Sequence, residues 1–131
     1  MPSPSIHFIG RTLLVASAAV LGLDGALQFA SPPAMVEALT NLGFAPDIGP
    51  FLAMITLSCA LLLAMPDTAL LGALNTTGFL GGAICAHLRL GEIASPPQLI
   101  CALIGVSVWT GMLLTDQKLA AHLFGSNARG T

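Results

Sequence analysis

The side chains able to do acid–base or ionic chemistry beside apolar sequence are Asp24, Glu37, His87, Arg89 and Glu92, with Gln28 as a neutral hydrogen-bonding neighbour. Asp24 and His87 are the groups suited to proton transfer. Arg89 could pair with a carboxylate or snorkel to headgroups. His87 and Arg89 stand two residues apart, so on a helix they point about 200° from one another and need not serve one site. No second His lies at helical spacing from His87, which gives little support to a metal site. The sequence contains no nucleophile elbow, P-loop or dinucleotide fingerprint. Each residue also has a plainer role. His87 could anchor a helix at a membrane edge, Glu37 could sit on a solvated helix face, and Asp116 and Lys118 could mark the watery end of a helix.

The elements that position these residues follow from composition. The chain has 131 residues, 55% hydrophobic and only 8% charged, and its mean hydropathy is +0.88. A soluble domain carries about 25% charged residues to cover its surface. Here the surface must face lipid instead. Four Lys and Arg in all, at a net charge of −2, leave no basic patch for nucleic acid. Cys59, Cys85 and Cys101 each lie inside an apolar run and form no CxxC pair. They read as small packing residues, not as a disulfide scaffold, a zinc site or a thioredoxin-like pair.

Four apolar stretches approach the roughly 20 residues that cross a bilayer: about 9–29, 48–65, 69–89 and 98–114. The first resembles a signal peptide in outline, but it is too long for one and is interrupted by Asp24 and Gln28. Gly10, Ser17, Asp24 and Gln28 share one face of it as a polar stripe that should turn into a bundle. Ser31-Pro32-Pro33 stops that helix, with Ser31 suited to capping the next one. Met35, Val36, Leu39 and Leu42 then oppose Glu37, Thr40 and Asn41, as in a short amphipathic helix lying in the membrane interface and closed by Gly43. Pro66-Asp67-Thr68 makes a tight corner. Pro96 and Pro97 begin the last span, which could continue into the polar tail. The expected fold is all-α, one domain over residues 1–131, an up-down four-helix membrane bundle. Arg11, Lys118 and Arg129 on one side outnumber Arg89 on the other, which places both termini in the cytoplasm.

This topology gathers Asp24, Gln28, Glu37, His87, Arg89 and Glu92 at the non-cytoplasmic end. A charge in a span costs about 3 kcal/mol unless paired, so Asp24 needs a partner, and Arg89 or His87 is nearest by depth. Such a pair could lock two helices together or line a small pocket. Alternatively Asp24 is protonated, or its partner lies on another chain. Pairing with Arg89 predicts that Asp24→Asn and Arg89→Gln together cost less than the sum of each. On the third span, Asn75, Gly78, Gly82, Cys85 and Arg89 share a face. Gly78 and Gly82 form a small-xxx-small pair for close packing of another helix, within the chain or in a dimer.

Several stretches together carry a family resemblance: LDGALQF, MVEALTNLGFAP, PDTALLGALNTTGFLGGAICAHLRLGE and WTGMLLTDQKL. In order and spacing, over roughly residues 10–120, the chain resembles the DoxX-like family of small bacterial membrane proteins. The resemblance implies a four-helix bundle in the bacterial inner membrane, with the family's polar pattern on Asp24, Glu37, His87 and Arg89. Gln28 stands where similar sequences often have Lys, and Glu92 where they often have Asp. It carries over no catalytic residue. The family's name comes from a subunit associated with a quinone-linked sulfur oxidoreductase, so quinone enters as a possible cofactor although no cofactor motif is evident. The expected role is accessory, with a lipophilic small molecule or a membrane partner bound at the non-cytoplasmic end. The alternatives are a quinone-linked oxidoreductase subunit, or a membrane enzyme acting on a lipophilic substrate through Asp24 or His87. A homo-oligomer is compatible with each of these.

Overall fold

The computed structural model describes residues 3–125, all of whose regular structure is helical. Arg129, counted above for orientation, lies outside them. The helices are α1 (Pro4–Ala30), α2 (Pro33–Asn41), α3 (Gly49–Ala64), α4 (Ala69–Arg89), α5 (Pro96–Thr115) and α6 (Gln117–Phe124), with a 3-10 turn at Pro66–Thr68 between α3 and α4. By length and composition, α1, α5 and the segment Pro66–Arg89 are apolar enough to cross a membrane, and α3 is a shorter apolar helix of 16 residues.

Prolines mark the starts. Pro4, Pro33, Pro50, Pro66 and Pro96 each fall in the first turn of an element, where the missing N–H costs nothing. Two ends differ from the sequence reading. Ser31 does not open α2. It closes α1 in a left-handed conformation at φ 47, and its Oγ donates to the Gln28 carbonyl at 2.7 Å. The following Pro-Pro pair has no N–H that needs an acceptor, so the hydroxyl is free to donate to the orphan carbonyl behind it. Nor does α5 run on into the tail. Asp116 breaks the helix with an extended backbone, and its carboxylate accepts from the Leu119 N–H at 3.0 Å to start α6. Gly43 does close α2. It lies at φ +85, a conformation open to glycine at little cost, and the Phe44 N–H returns to the Leu39 carbonyl at 3.0 Å.

The four apolar helices form a closed set of neighbours: α1 packs against α3 and α5, and α4 packs against the same two. The start of α1 meets the end of α3, where the Arg11 guanidinium donates to the Ala64 carbonyl. The start of α1 also meets the end of α5 through Gly10 and Gly111, whose backbones lie together with no side chain between them. The start of α4 meets the end of α3 at Gly72, where a Cβ would stand 2.5 Å from the Leu63 nitrogen. Farther along, the Trp109 indole N–H on α5 donates to the Thr77 hydroxyl on α4 at 2.8 Å. The core gathers at this end: Leu14, Ala18 and Leu21 of α1, Cys59, Ala60 and Leu63 of α3, Ala69 and Ala73 of α4, and Val108 and Met112 of α5.

The outward faces are apolar as well. Leu23, Phe51 and Leu103 are each more than 60% exposed. The polar stripe of α1 turns the other way, with Gly10, Ser17 and Gln28 buried and Asp24 half-buried. A hydrocarbon exterior around an inward polar stripe is what a helix bundle in lipid requires.

Gly72 tests this packing. Gly72→Ala drives a methyl into the α3 backbone and should cost about 1–3 kcal/mol. Gly78→Ala, on the same helix, meets no atom of the chain within 4 Å. It should be neutral, or stabilising by up to about 1 kcal/mol from helix propensity. Thermal unfolding of the two variants in mild detergent reads the difference.

Candidate functional site

Beyond the core a partly open cavity of about 1360 Å3 lies among the four helices. Leu21 and Cys59, which belong to the core, also line the cavity and so form its floor. Its wall is mostly hydrocarbon, from Val20, Ile55, Phe79 and Ile104 among others, and α2 covers it with Met35, Ala38 and Leu39. The amphipathic reading of α2 explains that position: Leu39 is buried and Met35 and Val36 are half-buried, whereas Glu37, Thr40 and Asn41 are exposed. Ligand pockets are typically apolar spaces of about 300–1,000 Å3 with a few placed polar groups; this cavity shares that lining and is larger.

The sequence-derived candidates divide between the wall and the outside. Asp24, Gln28, His87 and Glu92 line the cavity, and Glu37 and Arg89 do not. Asp24 pairs with neither cation. One of its carboxylate oxygens accepts from Gln28 Nε2, one turn farther along α1. Gln28 is buried, and its own Oε1 has no donor. His87 Nδ1 lies 2.6 Å from Glu92 Oε2, the only ion pair among the described residues. Arg89 is exposed, and its Nη2 donates to the Leu42 carbonyl at 2.6 Å, tying the end of α4 to the end of α2. The guanidinium lies directly over Gly43. Glu37 is exposed on α2.

The shared face expected on α4 splits in the same way. Asn75, Gly78 and Gly82 line the cavity, and Cys85 and Arg89 do not. Among the described residues no atom stands within 4 Å of a Cβ placed on Gly78 or Gly82, so these glycines border open space there and touch no neighbouring helix. Sequence reasoning passed over Gln98. Its amide donates to the Glu92 carbonyl at 3.1 Å, and its Oε1 accepts from the Ser95 N–H at 2.9 Å. The signal was present as Ser95-x-x-Gln98, a capping box at the start of α5. Cys101 and Ser58 also line the wall. Among the described residues no group of His, Cys, Asp and Glu could hold a metal ion.

Long apolar helices with hydrocarbon outer faces and an inward polar stripe define a helical membrane protein. A model of the DoxX-like family matches residues 12–111, and the chain belongs to that family. No curated protein and no solved structure matches it.

Two predictions follow from the site's geometry. Asp24 and Arg89 have separate partners, so Asp24→Asn and Arg89→Gln should add to within about 0.5 kcal/mol in unfolding experiments, in place of the coupling expected from sequence. Glu92 provides a pH test. Its hydrogen bond with His87 holds the carboxylate below its ordinary 4.5. A lowered folded value means that the unfolded chain takes up the proton first. The stabilisation is therefore complete above 4.5 and is lost as pH falls through the folded value. The melting-temperature gap between wild type and Glu92→Gln should hold at neutral pH and shrink as pH falls below about 4.5.

Proposed function

We propose that the chain crosses a bacterial inner membrane four times as an up-down bundle, and that it is an accessory protein holding a lipophilic small molecule in the cavity. The observation that carries this reading is the cavity itself: an apolar space of about 1360 Å3 between the helices, floored by the core and covered by an amphipathic helix. The end-to-end meetings of α1 with α3, α1 with α5, and α3 with α4 support the alternating directions. With 16 residues, α3 is about 24 Å long, so this span needs its flanking residues or a locally thinned bilayer. Arg11 and Lys118 stand at the end opposite Arg89, which supports a cavity at the non-cytoplasmic end and termini in the cytoplasm.

A quinone is the one redox group that the family likeness brings forward. Its carbonyls need donors. The wall offers an amide from Asn75, but the α1 side presents the acceptors of Asp24 and Gln28, and His87 is engaged by Glu92. The fit favours a ligand that donates, and no redox step is assigned to the chain's own residues.

The test is native mass spectrometry after release from mild detergent, on wild type and Gly82→Leu. A Cβ at Gly82 meets no atom of the described residues within 4 Å, and Gly82 lines the cavity. Wild type should retain a lipophilic compound of defined mass. The variant should lose most of it, roughly tenfold or more in occupancy, while its melting temperature changes little. Equal retention by both proteins would remove the cavity as the binding site. A bare protein in both cases would favour a role in binding a membrane partner.

A further inference from the structure

The polar groups of the cavity are unevenly matched. The Asp24 carboxylate receives one hydrogen bond, from the Gln28 amide, and no ion pair among the described residues. Among the described residues the Lys and Arg side chains do not line the wall. Arg11 donates to the Ala64 carbonyl at the opposite end, Arg89 donates to the Leu42 carbonyl, and Lys118 lies on α6. His87 shares the wall but is bonded to Glu92. Gln28, only 5% exposed, has an amide oxygen without a donor. The α1 side of the cavity therefore carries a carboxylate and a second acceptor with no Lys or Arg among the described residues to meet them. The surrounding wall is mostly apolar, as at Val20, Ile55, Phe79 and Ile104, with Asn75 and Ser58 as neutral polar groups.

A carboxylate in such surroundings is stabilised by a counter-charge or by donors, and Asp24 receives one hydrogen bond, from the neutral Gln28 amide. We propose that the occupant of this cavity is a lipophilic amine: its ammonium head meets Asp24, and its hydrocarbon body lies along the apolar faces of α3, α4 and α5. An alcohol head would give Asp24 a hydrogen bond and leave its charge uncompensated. An ammonium supplies both. This inference rests on the lipophile-binding reading of the cavity and adds the chemistry of the head.

The experiment compares dodecylamine with dodecanol. Binding to the full chain is measured in phosphatidylcholine nanodiscs, with empty nanodiscs subtracted to remove partition into lipid. Dodecylamine should bind at least roughly tenfold more tightly than dodecanol. Asp24→Asn should abolish that preference with dodecanol binding unchanged, and Asp24→Glu should restore part of it. Equal binding of the two probes to wild type overturns the amine assignment and leaves the lipophile cavity standing. Binding of neither probe above empty nanodiscs overturns the cavity reading itself. An Asp24→Asn variant that keeps the preference, or that loses both probes equally, also overturns the assignment, because the carboxylate would then not be what selects the head. The wild-type comparison decides even if the variant fails to fold.

Discussion

The close approach of α4 to α3 at Gly72 is the contact on which the rest of the architecture depends. With no side chain between the backbones, the first turns of α4 lie directly on Leu62 and Leu63. The contact is not repeated farther along, where Gly78, Gly81 and Gly82 meet nothing. Small residues permit close packing in membranes but do not compel it, because lipid is as apolar as Leu and supplies no hydrophobic drive between helices. What decides is whether a partner surface is present. At Gly72 it is the α3 backbone. Over Gly78 and Gly82 it is the cavity.

Charge is sparse in this chain, and several of the charged groups are tied down at helix ends. Arg11 and Arg89 each end on a backbone carbonyl, His87 reaches five residues on to Glu92, and Asp116 caps the helix that follows it. Each of these ties sits at a helix end, where water or headgroups can share the cost of the charge. Asp24 differs because it lies within α1, and its one tie is to a neutral amide. The six candidate residues thus separate by physical task. Arg89 and the His87–Glu92 pair fix the loops that surround the cavity, Glu37 faces outward from its cover, and Asp24 with Gln28 gives the cavity its polarity.

Much of the fold was legible in the sequence because hydropathy and proline placement are strong local signals. The start and end of α4, the corner at Pro66 and the two faces of α2 all follow from residues within a few positions of one another. The break at Asp116 was harder to see. It depends on a side chain turning back to the Leu119 N–H in competition with continuation of an apolar helix. The partner of Asp24 was sought among distant cations because burial demands compensation, whereas the chain used the residue one turn away. Such i,i+4 hydrogen-bonded pairs are available on any helix. Position along a span gives depth but not azimuth, so Arg89 could be at the right level and still turn to α2. The cavity itself had no sequence signal beyond the glycines, because an open space and a tight contact demand the same small residues.

The two ends of the molecule are held by different forces. One end is a packed core of interlocking Leu, Ala, Val and Met side chains around glycine contacts. The other is closed by α2 and the loop after α4 through a few polar ties, such as Arg89 to Leu42 and Gln98 to Glu92. Dispersed apolar packing is lost only when much of a structure opens together, whereas a loop held by one or two hydrogen bonds can open alone at low cost. A cavity placed at the packed end would be closed to exchange. Placed under α2, it adjoins the part of the structure that can open without disturbing the core that maintains the fold. Residues such as Gly72 and Leu63 therefore bear on whether the protein folds, and Asp24 and Gly82 bear on the polarity and shape of the cavity.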